Sequence, residues 1–124
     1  MIQRITVALV IQIHREQVCS AGLRSRDLLD AAVAAPFSGT VDREFYPTMA
    51  SKAAKLLEGI ARAQAFVDGN KRVAWLSMVA FLNVNGLTLE DTPAHEVEAA
   101  VIQSHTVGIE DLTRWVAARL NLLA

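Results

Sequence analysis

The sequence predicts an all-α fold, a single compact bundle of about six helices around a buried central helix near residues 70–85. Three observations predict it. Apolar residues make up 52% of 124, and over most of the chain they recur at helical rather than alternating spacing. Thr48 to Gln64 carries Ser51, Lys52, Lys55, Glu58, Gly59 and Arg62 three or four apart, opposite Leu56, Leu57 and Ile60, which is an amphipathic helix. After Arg72 the chain reads Val-Ala-Trp-Leu-Ser-Met-Val-Ala-Phe-Leu, apolar nearly all round. A helix of that kind is wrapped by its neighbours.

The remaining elements follow from local chemistry. Thr6 to Gln17 reads as a helix capped by Thr6 or as a strand, since Val7, Val10, Ile11 and Ile13 are β-branched. A helix begins after Ser25-Arg26 and runs to Ala35, where Pro36 ends it. Phe37 to Pro47 is loop, with Ser38, Gly39, Thr40 and Asp42 as turn formers. A short break at Ala65 to Gly69 precedes the helix Asn70 to Asn85, and Gly86 stands where a left-handed stop belongs. Two helices close the chain: Pro93 to Ser104, capped by Thr92, and Ile109 to Leu122. Trp75, Met78 and Phe81 read as core, and Trp115, Val116 and Leu120 as the docking face of the last helix. No repeat or low-complexity stretch interrupts the chain, so residues 1–124 form one domain.

Composition excludes several classes. A net charge of -1 gives no long-range positive field to collect nucleic acid or coat an anionic membrane. The apolar run Ile5 to Ile13 is far short of the roughly 20 residues a membrane span needs. His14, Arg15 and Glu16 follow it without a small-residue cleavage pattern, which argues against a signal peptide. Cys19 is alone, so no disulfide forms within the chain, and a reducing cytoplasm fits best. His14, His95 and His105 lack metal-ligand spacing; His14 reads as a packed helix residue and the other two as exposed. Gly-x-Ser-x-Gly, Walker and Cys-x-x-Cys motifs are absent.

The chemistry is concentrated in Asp68-Gly69-Asn70-Lys71-Arg72. These residues open the apolar helix, where backbone N–H groups lack intrahelical partners and the macrodipole is positive. Gly69 permits a turn that presents those N–H groups. Lys71 and Arg72 add cationic donors, Arg72 with a fork suited to two phosphate oxygens. Asp68 supplies a carboxylate for Mg²⁺, and Asn70 either orients a phosphate or caps the helix. The alternative is an ordinary Asp-Gly-Asn turn followed by a solvated helix start. An apolar helix has little reason to begin with so concentrated a polar cluster, and that favours an anion site.

Phe66-Val67-Asp68-Gly69-Asn70-Lys71-Arg72 resembles the His-x-Phe-x-Asp-(Gly/Ala)-Asn-Lys-Arg signature of the Doc (death-on-curing) branch of the Fic superfamily. Ile5-Thr6-Val7, Ile13-His14, Gly22-Leu23-Arg24, Leu28 to Ala32, Tyr46-Pro47-Thr48, Lys52-Ala53-Ala54, Asn85-Gly86-Leu87 and Trp115 fall in the same order, over nearly the whole chain. The resemblance makes the first segment a helix. AMP-transferring Fic enzymes usually carry Gly where this chain has Lys71 and a second Arg where it has Trp75, so the likeness is to the Doc type. It implies a toxin of a toxin–antitoxin pair: a protein kinase using Mg-ATP to phosphorylate a hydroxyl of a translation factor of the elongation factor Tu type. Asp68 would hold Mg²⁺, while Phe66, Gly69, Asn70, Lys71 and Arg72 would form the nucleotide-phosphate site. Arg62 either reaches the same cleft or is a solvated residue beside Lys55 and Glu58.

One departure bears directly on catalysis. The family's His base stands two residues before the Phe, and here that position is Gln64. An amide accepts hydrogen bonds but is no base near neutral pH. The resemblance therefore implies nucleotide and Mg²⁺ binding with transfer lost or severely impaired. The otherwise complete cluster favours a single replacement made at this position over gradual natural loss. Many Fic proteins carry an inhibitory helix ending in Glu-(Gly/Asn), and Glu58-Gly59 matches that end. Ala54 stands where the motif needs a hydroxyl, so control is expected from a cognate antitoxin whose C-terminal segment lies in a groove. An AMP-transferring Fic enzyme and a non-catalytic antitoxin- or nucleotide-binding module are the other two readings.

Overall fold

Thr48 opens the most deeply buried helix. Its hydroxyl accepts from the Ser51 N–H at 3.0 Å while Ser51 Oγ accepts from the Thr48 N–H at 2.9 Å, a reciprocal cap. In the computed structural model, which describes residues 1–104 and 106–123, this cap starts α3 (Met49–Ala63). Before it lie α1 (Val7–Ile13) and α2 (Arg26–Ala34). After it come α4 (Asn70–Val84), β1 (Leu87–Leu89), α5 (Ala94–Gln103), α6 (Ile109–Ala117) and β2 (Leu120–Leu122). The fold is all-α in class, six helices with one two-stranded antiparallel sheet among the described residues.

The centre of the domain is the α3–α4 pair. Leu56, Leu57, Ile60 and Ala61 of α3 meet Val73, Ala74, Met78, Phe81 and Leu82 of α4 in one core, with Val10 and Leu29 from α1 and α2 and Leu112 and Val116 from α6. Burial falls more heavily on α3 than its polar stripe predicts. Ser51, Lys52 and Glu58 are all buried, against the expectation of a solvated face. Lys52 is fully enclosed because its ammonium has partners: it donates to the Tyr46 carbonyl and to Glu44 Oε1, 3.2 Å away. A buried charge is tolerated on that condition. The contact ties down the loop 38–47, whose own hairpin is closed by Gly39 pairing with Glu44.

Most helix ends fall where the sequence placed them. Thr6 caps α1, with Oγ1 accepting from the Leu9 N–H, and Gly86 adopts φ 78 after α4. Past Ile13 the helix widens into a π turn, His14–Val18, closed by the Cys19 N–H donating to the His14 carbonyl at 3.1 Å.

Three expectations are corrected. The last helix does not reach Leu122: it stops at Ala117, and Leu120–Leu122 pairs with Leu87–Leu89. Thr92 does not cap α5; Pro93 occupies that position, and the Thr92 hydroxyl donates back to the Glu90 carbonyl. Trp75 is only half-buried and meets Trp115 edge-on, with ring centroids 6.1 Å apart. His95 is exposed as expected, while His105 lies outside the described residues.

Candidate functional site

α3 ends at Gln64, the one non-glycine residue with positive φ among the described residues (φ 54, ψ 39). Left-handed backbone costs a residue with a Cβ about 1–2 kcal/mol, so neighbouring contacts must hold it. Gln64 Nε2 donates to the Ala61 carbonyl at 3.0 Å, satisfying an acceptor left over at the helix end. The Arg24 guanidinium donates to the Gln64 carbonyl. Beyond Gln64 the chain runs extended beside Gly22–Ser25. The N–H groups of Arg24 and Ser25 both donate to the Ala65 carbonyl, at 2.7 and 3.0 Å, and the Val67 N–H donates to Gly22 at 3.0 Å.

Asn70 closes the loop. Its Oδ1 accepts from the Phe66 N–H at 3.0 Å, and its Nδ2 donates to the Phe66 carbonyl at 2.9 Å and to Gln64 Oε1 at 3.3 Å. The Asn70 side chain is buried and fully engaged within the loop, so what it offers a bound anion is its backbone N–H. Phe66 is 1% exposed and its ring stacks on His14 with centroids 3.9 Å apart. It anchors the loop to the core rather than facing an anion.

Gly69 sits at φ 78, ψ 17 immediately before α4, and no side chain caps that helix. The first N–H groups of α4 are thereby left for solvent or a ligand, at the positive end of a 15-residue helix. Lys71 and Arg72 are exposed on the same first turn, and so is Asp68 just before it. Asp68 Oδ1 accepts the Gly69 N–H at 2.7 Å, which orients the carboxylate and leaves its other oxygen available. Arg62 lies in the last turn of α3, 61% exposed at the side chain, with Nε 3.3 Å from Glu58 Oε1; Glu58 Oε2 also meets Lys55 Nζ at 2.9 Å. It belongs to an ion-pair row on α3 and does not line the cleft described next.

A cleft of about 520 Å³ opens beside this helix start. Lys71, Arg72, Trp75 and Leu76 form one wall, and Ala94, Val97, Glu98, Val101 and Ile102 of α5 form the other. The cationic pair stands at one end of a mainly apolar slot. Sequence reasoning missed this wall and the part played by His14. The spacing Ala94, Val97, Val101 was the available signal for the first; no local signal existed for the second.

For a metal, the donor set decides. Among the described residues no group of three or more His, Cys, Asp or Glu is placed to hold one. A protein-only metal cage is therefore not built here. A single oriented carboxylate does suit Mg²⁺, which keeps waters and shares phosphate oxygens with one or two carboxylates. Asp68 fits a magnesium ion that arrives with a phosphate ligand.

An uncapped helix start flanked by an acid and two cations offers the donors and positive charge that suit an anion. The Fic/DOC family profile matches residues 4–82, which include the whole loop and most of α4. The chain belongs to the Fic/DOC family. It is similar to Toxin Doc of Mycolicibacterium smegmatis, 45% identical over 86 residues, an alignment covering 62% of this chain and 66% of that protein. The chain thus spans just under two thirds of that relative's length. The family match stops short of α5 and α6, so it covers less of the chain than the motif order alone led us to expect.

Proposed function

We propose that this chain is a Doc-type toxin whose helix-start cradle binds Mg-ATP, in a family position suited to passing the terminal phosphoryl group to a protein hydroxyl, with an elongation factor of the Tu type as the target. The observation that carries the reading is the uncapped start of α4 with Lys71 and Arg72 exposed on its first turn. In phosphoryl transfer the protein's task is mostly positioning and charge stabilisation, and those are what this turn offers. The backbone N–H groups of Asn70 to Arg72 and the two cationic side chains would grip phosphate oxygens. Asp68 would hold the magnesium, which when bound neutralises phosphate charge. The nucleoside would enter the α4–α5 cleft, whose volume of about 520 Å³ lies within the usual ~300–1,000 Å³ of ligand pockets.

Gln64 makes the chain as it stands silent. It occupies the base position, and its Oε1 already accepts from Asn70. An amide can accept a hydrogen bond from the attacking hydroxyl but cannot remove its proton near neutral pH. Supplying the base in Gln64→His should raise transfer by about 10²–10⁴. The likeness to Toxin Doc further supports a cognate antitoxin as partner.

The test is expression of Gln64→His with and without the neighbouring antitoxin, followed by the mass of the modified target. Growth arrest relieved by the antitoxin, with one phosphate added to a translation factor, is the expected result. Addition of AMP would move the chain to the AMP-transferring branch. Neither arrest nor modification would leave a binding module without catalysis, and the kinase reading would fall.

A further inference from the structure

We infer that His14 is a positioning residue for the phosphate loop, gripping from behind the peptide that aims the first N–H groups and the Asp68 carboxylate outward. The inference rests on the loop being a nucleotide-phosphate site, as proposed above. His14 is 2% exposed, and its Nε2 lies 2.7 Å from the Asp68 carbonyl oxygen. A carbonyl can only accept, so Nε2 carries the proton and donates. The same ring lies flat on Phe66, 3.9 Å between centroids and 13° between planes.

The geometry of one peptide explains the consequence. In a trans peptide the C=O and N–H point in opposite directions. The Asp68 carbonyl points inward to His14, and the Gly69 N–H therefore points to the other side, where Asp68 Oδ1 accepts it at 2.7 Å. The Asp68–Gly69 unit is held on both sides. Without the inner hold only the bond to the exposed Asp68 carboxylate opposes rotation of this peptide, since Gly69 tolerates either sign of φ. A rotated peptide would turn a carbonyl toward the site, negative end outward, where phosphate has to sit.

The π turn makes this grip possible. Its wider winding brings Val18 and Cys19 as well as His14 against the loop. A Cβ at Gly69 would lie 2.4 Å from Val18 Cγ1, 3.3 Å from His14 Nε2 and 3.4 Å from Cys19 Sγ. A π turn is uncommon and occurs frequently at functional sites. Here the placement is a platform under the loop, and His14 is its one hydrogen-bonding member at ordinary length; Cys19 Sγ stands 3.9 Å from the same carbonyl.

Two replacements separate the hydrogen bond from packing. His14→Gln puts an amide N–H at nearly the reach of Nε2, while His14→Met fills similar space with no donor. Amide exchange of residues 66–72 is read on the ligand-free protein, and Mg-ATP affinity by calorimetry on the same samples. The expected result is faster exchange at Val67 and Gly69, the hydrogen-bonded amides on either side of Asp68, in His14→Met, with affinity weakened about tenfold, the scale of one ordinary hydrogen bond. His14→Gln should restore most of both. Should His14→Met fail to fold, His14→Phe, which keeps the ring stack, takes its place. Equal behaviour of the donor and non-donor variants in exchange would overturn the role of His14. If the unaltered chain does not bind Mg-ATP, the nucleotide reading fails, and the exchange data still decide whether His14 holds the loop.

Discussion

Asn70 Nδ2 donates to Gln64 Oε1 across 3.3 Å, so the residue that ends α3 is held by the residue that opens α4. The same Asn70 amide bonds both the N–H and the carbonyl of Phe66, at 3.0 and 2.9 Å. One buried side chain thereby ties the loop at Phe66 to the end of α3 at Gln64.

Asn70→Ala leaves the Phe66 N–H and carbonyl without these partners in a site where Phe66 is 1% exposed. Each buried unsatisfied group costs about 1–3 kcal/mol. The expected loss in urea unfolding is about 2–4 kcal/mol. Asn70→Asp should recover only the bond from the Phe66 N–H, since a carboxylate cannot donate to the carbonyl. Stability equal to that of the unaltered chain would contradict this account of the loop.

Two glycines with the same φ of 78 give an internal comparison. At Gly86 an added Cβ meets nothing within 4 Å, whereas at Gly69 it meets Val18 Cγ1 at 2.4 Å. Gly86→Ala should cost only the left-handed penalty of about 1–2 kcal/mol. Gly69→Ala should cost about 1–3 kcal/mol more, through overpacking against the π turn. Thermal or urea melts of the two variants check the difference.

Lys52→Met keeps most of the buried volume and removes the donor to Tyr46 and Glu44. Glu44 is 64% exposed, so the ion pair itself contributes little. Global stability should change by less than about 1.5 kcal/mol. The loop 38–47 should instead open more readily, seen as faster amide exchange at Phe45 and faster cleavage by a protease. Unchanged protection of that loop would show that Lys52 does not secure it.

These contacts also mark how far the sequence could be read. The helix starts at Ser25 and Thr48 were legible because each cap is a local side-chain-to-backbone bond, whereas the segment after Thr6, rich in β-branched residues, stayed open between helix and strand until the family likeness made it a helix. The loop and its cations were legible as a pattern of adjacent residues, and the likeness to a known signature supplied the name of the family. The burial of Lys52 was not, because its partners lie six and eight residues back in a loop whose path the sequence leaves open. Nor was β2: Leu120-Asn121-Leu122 continues the apolar spacing of α6, and only its pairing with Leu87–Leu89 makes it a strand. The grip of His14 on Asp68 joins residues 54 apart and depends on a π turn with no sequence signature.

The central claim, that the start of α4 grips a polyphosphate with its magnesium, is tested most directly by calorimetric titration of ATP into the chain as it stands, with and without Mg²⁺. The account predicts saturable binding that Gln64→His leaves within a few-fold. Asp68→Asn, which can still accept the Gly69 N–H, should remove most of the magnesium dependence. Lys71→Ala with Arg72→Ala should weaken binding by at least about tenfold, given about 1.5–3 kcal/mol for a charge-assisted hydrogen bond. No heat of binding, or an affinity untouched by loss of both cations, would contradict it.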